Sequence, residues 1–124
     1  MYRVTPQVTN LYNALMNRGI KCKIEDNDGH KTVDLSIPEA KINIEVDGLQ
    51  HFTDSKQIMS DFQRSYWSIK QRDFDTFHVS NIIIDNYLEQ VADALATVAR
   101  EYSETIREEE NTLSKRLIKF IFNK

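Results

Sequence analysis

Residues 33–51 read VDLSIPEAKINIEVDGLQH. In Lys41–Asp47 the apolar residues Ile42, Ile44 and Val46 alternate with Asn43, Glu45 and Asp47. A period of two is the signature of a strand, with the aliphatic side chains on one face and the polar ones on the other. A shorter extended run around Asp34 precedes it, and Pro38 marks the turn between the two. Asp34 and Glu45 stand on the two arms of that turn, so the hairpin brings them side by side. Carboxylates this close repel one another in a bare protein, and a bound divalent cation is a common reason to keep them. Glu39-Ala40-Lys41 also contains a Glu-x-Lys string, but Asp34 to Glu39 is too short for a turn and a return strand, so Glu39 is turn decoration.

Working outward, Thr5-Pro6 is followed by Val8, Leu11, Tyr12, Leu15 and Met16 at helical spacing. Thr5 is the expected N-cap, Pro6 the first helical residue and Gly19 the residue past the end. Ile20–Glu25 alternates as a strand, Asp26-Asn27-Asp28-Gly29 is a turn, and Lys31–Ser36 is its hairpin partner. Downstream, Asp54 or Ser55 caps an expected second helix running to about Arg72, with Ile58, Met59, Phe62, Tyr66 and Ile69 on its buried face. Thr76–Val79 reads as a fourth strand, while Ile82–Ile84 fits either a strand end or a helix start. From about Asn86 a helical stripe runs through Leu88, Val91, Leu95, Val98 and Tyr102, and Leu113, Leu117, Phe120 and Ile121 continue it. The expected order is α-β-β-β-α-β-α: an α/β domain with a mixed sheet flanked by helices and a long C-terminal helix.

With 124 residues the chain forms one domain, 1–124, with a core of about 5–100 and a helical extension of about 101–124. A hydrophobic content of 40% beside 28% charged residues fits a globular protein. No apolar run reaches the roughly 18 residues of a membrane span, and the start MYRVTPQ lacks a signal peptide's apolar core. One cysteine, Cys22, excludes an internal disulfide and a cysteine-based zinc cluster. A cytoplasmic location is therefore expected. The net charge of −3 argues against holding nucleic acid by bulk electrostatics, yet leaves room for an acidic pocket neutralised by metal.

His51 follows Gly48 just beyond the acidic strand, where it is either a structural residue or a general base or phosphate donor. Gln50 is a neutral orienting group. Asp61 and Arg64 lie at i and i+3 on the second helix, either as a surface pair or as a supporting carboxylate and a phosphate-facing guanidinium.

These residues carry a resemblance. Thr5-Pro6 with Leu11-Tyr12, then Val33-Asp34, Pro38-Glu39-Ala40-Lys41, Ile44-Glu45-Val46-Asp47-Gly48-x-Gln50-His51 and Asp61-x-x-Arg64 resemble the very-short-patch-repair-like endonucleases, a branch of the PD-(D/E)XK nuclease superfamily. The resemblance covers Thr5 to about Leu95. It implies a restriction-endonuclease-like fold and Mg²⁺-dependent hydrolysis of DNA phosphodiesters, with Mn²⁺ as an alternative ion. It further implies that Asp34, Glu45 and the Val46 carbonyl bind the metal, that Asp47 and His51 join the catalytic set, and that Gln50, Asp61 and Arg64 contact phosphate or support the site. Three positions depart from the family pattern. Asp47 stands at the superfamily's lysine position, Val8 where the opening helix usually carries a glutamate (with Glu25 as a substitute), and His78 where the fourth strand carries an arginine. The expected partners are DNA, a second copy of the chain through the last helix, and a larger restriction, repair or mobile-element system. The alternative is a catalytically inactive nuclease-fold module for nucleic-acid binding or assembly.

Overall fold

A computed structural model describes residues 4–25, 33–48 and 74–122. In order these form helix α1 (Pro6–Asn17), strand β1 (Lys23–Ile24), strand β2 (Leu35–Ile37), a 3₁₀ turn (Pro38–Ala40), strand β3 (Ile42–Asp47), strand β4 (Asp75–Ser80) and helix α2 (Asn81–Phe122). The expected second helix, over about 54–72, lies outside the described residues.

Helix α1 starts and stops where its sequence dictates. Thr5 Oγ1 accepts the Val8 amide, Pro6 opens the first turn, and Gly19 takes a left-handed φ of 78° just past the end. The Gly19 amide then reaches the Met16 carbonyl and the Ile20 amide the Leu15 carbonyl, the double closure that a left-handed residue permits. The Pro38 turn closes similarly, with Lys41 left-handed and its amide on the Pro38 carbonyl. Glu39 is exposed on this turn.

The sheet runs β1-β2-β3-β4. β1 with β2 and β2 with β3 are antiparallel, whereas β3 with β4 is parallel. The fold is therefore α/β with a mixed four-stranded sheet and a long C-terminal helix. Register fixes which residues share a face. Ile24, Leu35, Ile44 and Phe77 form one row across all four strands, and this face packs against α1 and α2 in a single core with Val8, Leu11, Leu15, Ile84, Leu95 and Ala96. The opposite face carries Ser36, Asn43, Glu45, Asp47, Thr76 and His78.

Helix α2 resolves the ambiguity at Ile82–Ile84 in favour of helix. Ser80 Oγ accepts the Ile83 amide and so caps its start. Tyr87 is non-helical (φ −139°, ψ 39°), and just before it Asn86 Nδ2 donates to the Ile82 carbonyl, a side chain entering the backbone ladder as kinks require. Beyond the kink, small residues Ala92, Ala96 and Ala99 are buried, letting α2 approach closely. Arg18, at the end of α1, binds the carboxylates of Glu89 and Asp93 and the Ala14 carbonyl, while Arg100 returns to the Arg18 carbonyl. Tyr102 packs on Phe77 with ring centroids 6.3 Å apart, and its hydroxyl donates to Asp75, which raises the phenol pKa. Among the described residues no helix is long and apolar enough to cross a membrane.

Two predictions follow from this packing. Ile44 has no solvent exposure whereas Leu117 is 60% exposed, so Ile44→Ala should lower unfolding free energy by about 2–5 kcal/mol and Leu117→Ala should leave the urea midpoint of the monomer near that of the parent. Burial pushes the Cys22 thiol up to about 11 from an ordinary 9.0. Unfolded chains then lose this proton before folded ones, so the contribution is intact below pH 9 and is lost as pH rises toward 11. A Cys22→Ala variant should show a shallower alkaline loss of stability in urea titrations across that range.

Candidate metal centre on the polar face of the sheet

Both faces of β3 are shut away from water. Ile42 and Ile44 are buried on the helix side, and on the other side Asn43 is 1%, Glu45 4% and Asp47 5% exposed. Acids are almost never this buried without partners. Parallel pairing sets Glu45 directly beside His78. His78 Nδ1 lies 2.8 Å from Asp47 Oδ2 and 3.1 Å from Glu45 Oε2. One ligand atom from each of Glu45, Asp47 and His78 falls within 4.8 Å of the other two. At that separation and an effective dielectric of about 20, two unit negative charges repel by roughly 3–4 kcal/mol. Bringing the two acids together therefore calls for compensating charge or hydrogen bonds nearby.

The donor set fits a divalent cation: two carboxylates and one imidazole, converging from two adjacent strands. Imidazole with carboxylate suits Mn²⁺ and Zn²⁺ as well as, or better than, Mg²⁺, which favours oxygen alone. On the same face, Thr76 Oγ1 is buried with no hydrogen-bond partner among the described residues, so the surroundings of the triad still have a polar group to satisfy. The His78 side chain keeps 28% of its exposure and forms the open side of the cluster.

Asp34 occupies the position next to Glu45 on the neighbouring strand. Its amide donates to the Ile44 carbonyl, just outside the paired residues of β2 and β3. Asp34 Oδ2 accepts the Val46 amide at 2.7 Å, a charge-assisted bond that holds β3 where the ladder has ended. Val46 itself packs toward the core. Next along this row, the Glu25 amide donates to the Asp34 carbonyl, and Glu25 Oε1 accepts the Ser36 hydroxyl at 2.6 Å. Glu45 and Asp47 thus come together as expected of neighbours on one strand face, and the residue that joins them is His78. Gln50, His51, Asp61 and Arg64 lie outside the described residues. In the sequence, His78 stood out only as a departure from the family pattern. The signal available was the alternation Thr76-Phe77-His78-Val79-Ser80, which puts His78 on a polar strand face without saying which strand it faces.

Titration calorimetry with Mn²⁺ should give a single-site isotherm for the parent chain. Glu45→Gln and Asp47→Asn should each abolish it, and His78→Ala should weaken it by about 10–100-fold. Binding unchanged in all three variants would remove the triad as a metal centre. Compared with protein-family models, with curated proteins and with solved structures, the chain matches none.

Proposed function

We propose that the chain is a divalent-metal-dependent DNA endonuclease that hydrolyses phosphodiester bonds at the polar face of its sheet, and that its core follows the restriction-endonuclease-like arrangement. The observation that carries this reading is the convergence of the buried acids Glu45 and Asp47 with the exposed His78 within 4.8 Å. The topology supports it too, because antiparallel pairing of β1 with β2 and β2 with β3 and parallel pairing of β3 with β4 give the mixed sheet that the resemblance implies. The string Ile44-Glu45-Val46-Asp47-Gly48-x-Gln50-His51 supports the same reading through its family resemblance.

In this reading Glu45 and Asp47 are the anionic ligands and His78 the neutral one, with Asp34 completing the acidic rim. A cation held there polarises a phosphoryl oxygen and makes bound water a stronger acid. The chain's own residues supply the geometry. Glu45 and His78 are locked in register by the β3–β4 ladder, and Asp34 fixes the backbone of β3 through the Val46 amide. The net charge of −3 makes phosphate binding here depend on the cation, because no excess of positive charge draws DNA to the surface. His51, Gln50, Asp61 and Arg64 retain the phosphate-contacting and supporting roles that the resemblance implies.

Supercoiled plasmid incubated with Mg²⁺ or Mn²⁺ should be nicked or linearised, and EDTA should stop the reaction. Glu45→Gln and Asp47→Asn should each abolish the metal-dependent cutting while circular dichroism and urea unfolding stay close to the parent. Metal binding without cutting of duplex or single-stranded DNA would instead favour the inactive, binding or assembly module.

A further inference from the structure

From Arg107 to Phe122 every residue of α2 is exposed. Leu113 is 65%, Leu117 60%, Ile118 55% and Ile121 55% exposed. Leu113, Leu117 and Ile121 recur every fourth residue, so they lie on one side of the helix. Ile106, half-buried at the edge of the body, leads into this stripe, and Ala92, Ala96 and Ala99 precede it inside the core. The face that packs α2 onto the domain therefore continues, past Glu109 and Glu110, as an aliphatic row in water. Large aliphatic side chains in such a row are not what a solvated helix carries.

We propose that this exposed half of α2 pairs antiparallel with the same segment of a second copy of the chain. Its charge order selects both the partner and the direction. Glu104, Glu108, Glu109 and Glu110 lead the segment, interrupted only by Arg107, and Lys115, Arg116 and Lys119 follow with no acid among them. A segment that is acidic first and basic second is complementary to itself only when reversed. With Ile106, Leu113 and Leu117 forming the seam, Glu109 and Arg116 flank it seven residues apart on the same side. Antiparallel pairing sets Glu109 beside the partner's Arg116, and the two-fold axis repeats that pair. Parallel pairing would stack glutamates against glutamates and bases against bases. The sixteen residues from 107 to 122 span about 24 Å as helix, enough for several layers of contact. A partner of a different sequence would have no reason to mirror this charge order.

Light scattering and sedimentation should give twice the 14.5 kDa chain mass. Leu113→Asp combined with Leu117→Asp should return the protein to the mass of one chain without changing the urea unfolding of the body, because these side chains are exposed in the single chain. Direction is read by disulfide trapping in a Cys22→Ala background. Chains carrying Glu109→Cys mixed with chains carrying Arg116→Cys should cross-link to each other under oxidation, whereas neither should cross-link efficiently to itself. Charge reversal at Lys115, Arg116 and Lys119 should weaken the dimer, and reversal of Glu108 and Glu109 in the same chain should restore it. A parent protein of one-chain mass throughout the accessible concentration range overturns the proposal. So does a dimer indifferent to Leu113→Asp with Leu117→Asp, or one that cross-links 109 to 109.

Discussion

Strand β3 is closed off from water on both faces, and the rest of the described structure answers to that fact. One face can be satisfied by hydrocarbon: Ile42 and Ile44 meet α1 and α2 in a continuous core. The other cannot, because Glu45 and Asp47 bring negative charge into a site with 4–5% exposure. Buried carboxylates need hydrogen bonds and a compensating charge. Among the described residues His78, from the parallel neighbour, lies within reach of both, 2.8 Å from Asp47 and 3.1 Å from Glu45.

The two faces of the sheet are satisfied in different ways. Both described helices cover the apolar face, and the contacts described on the polar face are directional ones. Those interactions depend on strand register. Glu45 opposite His78 and Asn43 opposite Thr76 hold only in the observed β3–β4 alignment; a slip by one residue would exchange the polar and apolar faces. Aliphatic burial on the helix side penalises such a slip heavily, so the hydrophobic core indirectly protects the geometry of the acidic site. Asp34 contributes from a third strand by holding the Val46 amide at the end of the ladder. In this way the backbone carrying the acids is fixed even where regular pairing stops.

The two halves of helix α2 differ in their exposure. Its first half is bound to α1 through Arg18 and Arg100 and to β4 through Tyr102. Its second half continues the apolar spacing with every residue from Arg107 to Phe122 exposed. Past the kink at Tyr87, the helix from 88 to 122 reaches about 52 Å at 1.5 Å per residue, far more than this sheet spans. Continuity between a packed and an unpacked stretch of one stripe gives the helix a single physical logic along its length.

Local rules determine much of this architecture without help from any tertiary contact. Alternation of Ile42, Ile44 and Val46 with Asn43, Glu45 and Asp47 determined a strand and its two faces, since side-chain direction there is a property of the backbone. Thr5, Pro6 and Gly19 determined the ends of α1 for equally local reasons, and the spacing from Leu88 onward determined a long helix. Two elements read shorter or sharper in three dimensions: β1 narrows to Lys23–Ile24, and the Ile82–Ile84 run becomes helix because Ser80 caps it. The identity of the group facing the acids was decided only by the fold. His78 lies 31 residues beyond Asp47, and no sequence period links them. Their meeting depends on β4 pairing parallel to β3 in one particular register, a choice made by the packing of Phe77 and Val79 into the core rather than by His78 itself.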